Sequence, residues 1–73
     1  ADEWLETTID HPIEQLTREI IFPKERPCRR AALVVGGRVR PLESIRRQDG
    51  RSAVRIHIPH PQPDTPYTIC WAW

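Results

Sequence analysis

Cys28, His57, His60 and Cys70 could together supply four ligands with the donor atoms zinc prefers. His57 and His60 stand three apart, a spacing that a pair of ligands can use. The cysteines, however, are single and distant, with no C-x-x-C pair to complete a tetrahedral site. The reading is therefore that His57 is a strand residue, His60 is a turn residue, and no metal or cofactor is bound. Nucleophilic catalysis would need Ser44, Ser52 or Cys70 beside a base and an orienting acid. No nucleophile elbow or family signature surrounds them. Glu6, Asp10, Glu14 and Glu19 recur at spacings of four or five, which describes a solvated face better than a catalytic pair. There is no glycine-rich phosphate loop. No enzyme is expected.

Arginine carries the most distinctive chemistry. Net charge is only +1, but residues 1–25 hold seven acids and two bases, while residues 26–55 hold nine arginines against Glu43 and Asp49. All the cations except Lys24 are arginine, the side chain suited to bidentate capture of carboxylate or phosphate. Two uses remain open. Acidic early strands can pair with basic later ones inside the molecule, or the arginines can face a partner. For the second use the candidate partner-binding residues are Arg29, Arg30, Arg38, Arg40, Arg46, Arg47, Arg55 and Trp73. Arg26 and Arg51 would extend such a stripe on a nucleic acid. Trp71 and Trp73 either belong to the core or leave Trp73 exposed as an anchor for a partner.

The elements that must hold these residues read as strands. Eight prolines against three glycines cut the chain into pieces too short for a helical bundle. Leu16, Ile20 and Phe22 alternate on one face, with Arg18 out of pattern. The strand from Arg30 to Val35 runs into Gly36-Gly37, a pair suited to a tight hairpin, and returns through Arg38 to Leu42. A second hairpin is expected at Asp49-Gly50, between Ser44–Gln48 and Arg51–Ile58. In its second arm Val54, Ile56 and Ile58 share a face, opposite Arg55 and His57. A proline-rich stretch from His60 to Pro66 leads to the last strand. There Tyr67, Ile69, Trp71 and Trp73 lie on one side, and Thr68, Cys70 and Ala72 on the other. Trp4 to Asp10 reads as a strand, with a helix starting at Asp10 as the alternative. The expected core is Leu16, Ile20, Phe22, Leu33, Val35, Val54, Ile56, Ile58, Tyr67, Ile69 and Trp71.

The run Pro63 to Trp71 resembles the entry to strand F in fibronectin type III and immunoglobulin-like sandwiches, where a turn precedes a tyrosine whose hydroxyl ties back to the corner backbone. Tyr67 takes that position, and Ile69 and Trp71 become the inward residues after it. The resemblance covers about nine residues. It lacks a strand after Trp73 and the Cys…Trp…Cys spacing of immunoglobulin domains. It implies an accessory domain of a bacterial multidomain protein, acting as a spacer or interaction module.

The expected fold is therefore all-β, a small antiparallel sandwich of five to six strands, one domain over residues 1–73. The expected role is a non-catalytic protein–protein interaction or scaffolding module. Its partner would be another protein or another domain of the same protein. The rival is a nucleic-acid-binding module using an arginine-rich sheet face. No apolar run approaches the ~18 residues of a membrane span, and Ala1 to Trp4 shows no signal-peptide pattern. A cytoplasmic location with two reduced, part-buried thiols follows as the expectation.

Overall fold

The computed structural model describes residues 2–73. Among these, seven strands form two antiparallel sheets: β1 (Asp2–Thr7), β2 (Gln15–Ile21), β3 (Arg30–Val35), β4 (Arg38–Leu42), β5 (Ile45–Arg46), β6 (Ser52–Pro59) and β7 (Tyr67–Ala72). One sheet runs β1-β7-β3-β4 and the other β2-β6-β5. The count exceeds the expected five to six for two reasons. The ambiguous N-terminal segment is a strand that completes its pairing along β7, from Asp2↔Ala72 to Thr7↔Tyr67. The arm expected over Ser44–Gln48 also survives, but only as the two residues of β5. The helix alternative at Asp10 is not taken; residues 10 and 11 form a bend. Among the described residues there is no helix long and apolar enough to cross a membrane.

The two hairpins close differently. Gly36 and Gly37 both have positive φ, 56° and 80°, and Val35 pairs directly with Arg38. This is a two-residue loop of mirror-image geometry, matched to the right-handed twist of its strands. Asp49-Gly50 closes a longer loop. The Gly50 N–H donates to the Arg47 carbonyl at 3.0 Å, and the Arg47 N–H donates to the Arg51 carbonyl at 2.8 Å. Gly50, at φ 85°, takes the left-handed position that ends such a three-residue turn.

Packing follows the alternation. Leu16, Phe22, Leu33, Val54, Ile56, Tyr67 and Ile69 form the buried core, with Val54 and Ile69 fully enclosed. Ile20, Val35, Ile58 and Trp71 pack against it as half-buried neighbours. Trp71 meets Phe22 edge-on, ring centroids 5.8 Å apart at 74°, the arrangement that brings a ring's positive edge to its neighbour's negative face. Ala31 and Ala53 are buried as well. Ala53 lies on the far side of the smaller sheet, in a row between Ile21 and Ile45. The Tyr67 hydroxyl accepts from the Gln62 N–H at 2.9 Å. The loop it anchors is tied further by Asp64 N–H to the Ile9 carbonyl and His60 N–H to the Glu14 carbonyl, both 2.8 Å.

Three strands cannot cover four. At about 4.8 Å per strand the smaller sheet is narrower than its partner, so the outer strands of the larger sheet overhang. Leu5 on β1 points inward yet stays 42 % exposed. Arg38 and Arg40 share the inward-facing register of β4 with Leu42, and both are exposed.

Candidate functional site

The outer face of the four-stranded sheet is the candidate. Register and alternation set its composition. Trp4 pairs with Cys70, Cys70 with Ala32, and Ala32 with Pro41, so these four side chains cross the sheet in one row. The next row is Glu6, Thr68, Val34 and Val39, and the row on the other side is Asp2, Ala72 and Arg30. The middle of the face is made of small side chains, so its surface is a shallow trough walled by Trp4 and Pro41. Trp4 is 70 % exposed and Val39 66 %. Such apolar side chains normally seek burial, and a contiguous uncovered group of them marks a contact surface. The charges sit at the margin, with Asp2 and Glu6 along β1 and Arg30 toward β4.

The structure scatters the expected partner-binding arginines over three regions. Arg29 and Arg30 lie at the end of β3, near Trp73, and the Arg29 N–H donates to the Ala72 carbonyl at 2.8 Å. Trp73 is half-buried, with the Arg26 guanidinium 4.2 Å from its ring centroid. This cation–π contact gives Trp73 a neighbour within the chain. Arg38 and Arg40 project from β4 toward the seam between the sheets. Arg46 is exposed on β5.

Arg47 and Arg55 turn to the same carboxylate. Glu19 accepts from Arg55 Nε and Nη2 at 3.1 and 2.6 Å and from Arg47 Nη1 at 3.3 Å. Glu19 and Arg55 are direct cross-strand partners, so the intramolecular use of the charge asymmetry is realised here. Arg47 Nε is buried without a hydrogen-bond partner, 3.7 Å from Asp49. Beside them, Asp49 accepts from the backbone N–H and the guanidinium of Arg51. Those hydrogen bonds hold its carboxyl down at about 2.

The thiols lie on opposite sides of one sheet. Cys28 packs at the core margin, its Sγ donating to the Arg30 carbonyl at 3.4 Å, and burial pushes its thiol up. Cys70 belongs to the outer face. Both are free and half-buried. The His57 ring hydrogen-bonds the Thr17 hydroxyl at 3.0 Å. Among the described residues no group of three or more His, Cys, Asp or Glu side chains is placed to hold a metal ion.

Trp4, Val34, Val39 and Pro41 were not singled out from the sequence as site residues. The available signal was in β4, where a strand with Val39 opposite two arginines reads naturally as Val39 inward. The hairpin register places it outward instead. Comparison of the chain with protein-family models, with curated proteins and with solved structures yields no match.

Proposed function

We propose that this chain is a non-catalytic protein–protein interaction module that docks through the outer face of its four-stranded sheet. The observation that carries the reading is the cross-sheet row Trp4, Cys70, Ala32 and Pro41, apolar throughout and ending in a tryptophan that is 70 % exposed. Tryptophan on a flat surface of small residues is the anchor type that dominates binding energy at protein interfaces. The face is about four strands wide, roughly 19 Å. That suits a transient or intramolecular domain contact better than a large obligate one. The occupant is a complementary apolar face of another protein or of another domain of the same chain, with a basic group meeting Asp2 and Glu6.

Strand order supports placing the module among immunoglobulin-like sandwiches. That arrangement sets strands B, E and D in one sheet and C, F and G in the other. Here β2-β6-β5 corresponds to the first set and β3, β7 to C and F. β1 lies along the flank of β7 where G would run. A protein partner is favoured over nucleic acid because the arginines are divided among three regions and two of them are engaged by Glu19.

The test is site-specific photo-crosslinking in cells that make the full-length protein. A photoreactive phenylalanine derivative replaces Trp4 or, as a control at an exposed hairpin tip, Gln48. Position 4 is expected to give one discrete product that Val39→Asp, on the same face, abolishes. Equal yields from both positions, or a product indifferent to Val39→Asp, would overturn the reading.

A further inference from the structure

A second surface, which meets the outer face at Val39, combines an open strand edge with two arginines that lack an acidic partner. β6 is the longest strand and pairs with β2 along its length, from Pro59 to Ala53. On its other side it meets β5 only at Ser52 and Ala53. The hydrogen bonds bracketing the β2–β6 pair define which groups point where. Phe22 N–H donates to the Ser52 carbonyl, and His60 N–H donates to the Glu14 carbonyl. Because narrow and wide pairs alternate in an antiparallel ladder, Val54, Ile56 and Ile58 direct their backbone groups to β2. Arg55 and His57 direct theirs to the edge that β5 leaves open.

Beside that edge lies a groove of about 520 Å³ between the sheets, its apolar wall formed by Leu33, Val35, Ile58 and Tyr67. Arg38 and Arg40 reach into it from β4, and no carboxylate lines it. Neither arginine takes part in an ion pair among the described residues. They are two residues apart on an extended strand, so their side chains leave the backbone ~6.8 Å apart. An added strand carrying carboxylates at alternate positions has the same repeat. Two of the other edges, those of β4 and β2, are less receptive. Pro41 removes a donor from β4, and Arg18 is a charge in the inward register of β2; both are recognised ways of blunting an edge.

We propose that the seam between β4 and β6 binds an extended acidic peptide that adds as a strand to the open edge at Arg55 and His57, its alternate carboxylates held by Arg38 and Arg40. Main-chain hydrogen bonds then supply register, and the arginines supply selectivity. The site does not depend on the outer face: it stands even if position 4 crosslinks nothing.

The test uses the full-length protein and three probes in calorimetry: a capped heptapeptide alternating valine and glutamate, its lysine counterpart, and an oligothymidylate. The glutamate peptide is expected to bind and the lysine peptide not. Arg38→Glu with Arg40→Glu should weaken binding about tenfold or more, while Arg18→Gln, on the far edge, leaves it unchanged. Amide NMR signals of Arg55 and His57 should shift on titration. Peptide N-methylated on its edge-facing amides should lose binding, which separates strand addition from charge attraction alone. Absence of peptide binding, insensitivity to the double substitution, unmoved Arg55 and His57 amides, or full binding of the N-methylated peptide would each overturn the proposal. So would arginine-dependent binding of the oligothymidylate in place of the peptide.

Discussion

The two sheets present opposite kinds of outer surface. Through its middle the smaller sheet turns out Thr17, Glu19, Arg55 and His57, polar groups that satisfy one another across β2 and β6, with Ile21 and Ile45 exposed at the end beside β5. The larger sheet turns out Trp4, Cys70, Ala32, Pro41, Val34 and Val39, all exposed or half-buried, with Asp2, Glu6, Thr68 and Arg30 around them. Both faces are built by the same period-two alternation. The difference lies in what each exposed row is offered as a neighbour. A polar face closed on itself has little left to give a partner, whereas an apolar face in water gains from being covered.

The sharpest contrast is within β7. Ile69→Ala should cost about 2–5 kcal/mol, because Ile69 is only 1 % exposed and sits at the centre of the core. Cys70→Ser, one residue on but facing out, should stay within about 0.5 kcal/mol. Denaturant titration of the two variants measures the gap, and a cost at Cys70 approaching that at Ile69 would mean the outer face is part of the folding core.

A smaller effect is expected on the polar face. Glu19→Gln should cost roughly 0.5–1 kcal/mol, discounted because its partners are partly exposed. High salt should shrink the difference between variant and wild type. Loss of stability comparable to a core truncation would show that the Glu19 cluster is more than a surface network.

The pH dependence of the neighbouring hairpin has a defined sign. Hydrogen bonds from Arg51 hold the Asp49 carboxyl at about 2, below its ordinary 3.8. The native state therefore binds this proton less readily than the unfolded chain. Its stabilising contribution is whole above pH ~4 and disappears as pH falls through 2. Calorimetry between pH 4 and 2 should find a shallower loss of Tm in Asp49→Asn than in wild type.

The smallest thermodynamic effect belongs to the most exposed residue. Trp4→Ala should change stability by no more than about 0.5 kcal/mol, since Trp4 packs on little. Iodide should quench the fluorescence contributed by Trp4 and largely spare that of Trp71, which is half-buried against Phe22. Quenching that Trp4→Ala leaves untouched would show that the outer face is already occupied.

Much of this architecture is legible in the residues. Alternation in 51–58 and 67–73 identifies the strands and their buried faces, and every expected core residue is buried or packs on the core. Gly36-Gly37 announces its own turn because few other residues tolerate positive φ at both positions. The site was harder to read. Arg38 and Arg40 alternate with Val39, and alternation states only that they differ in face. The hairpin register makes the arginines inward, and the narrower partner sheet leaves them uncovered. Arg47 and Arg55 look like free cations until pairing brings Glu19, far away in sequence, between them. Trp4 stands in an ambiguous segment, and its place beside Cys70 depends on the first and last strands meeting.

What the amino-acid order determines by itself is local: which residues extend, where the chain turns, and which side chains share a face. Those properties depend on backbone sterics and on a two-residue repeat that any strand obeys. Which face is covered, which charges find partners and which edge stays open depend on the number of strands each sheet recruits and on contacts between distant segments. These were decided only when four strands were laid over three.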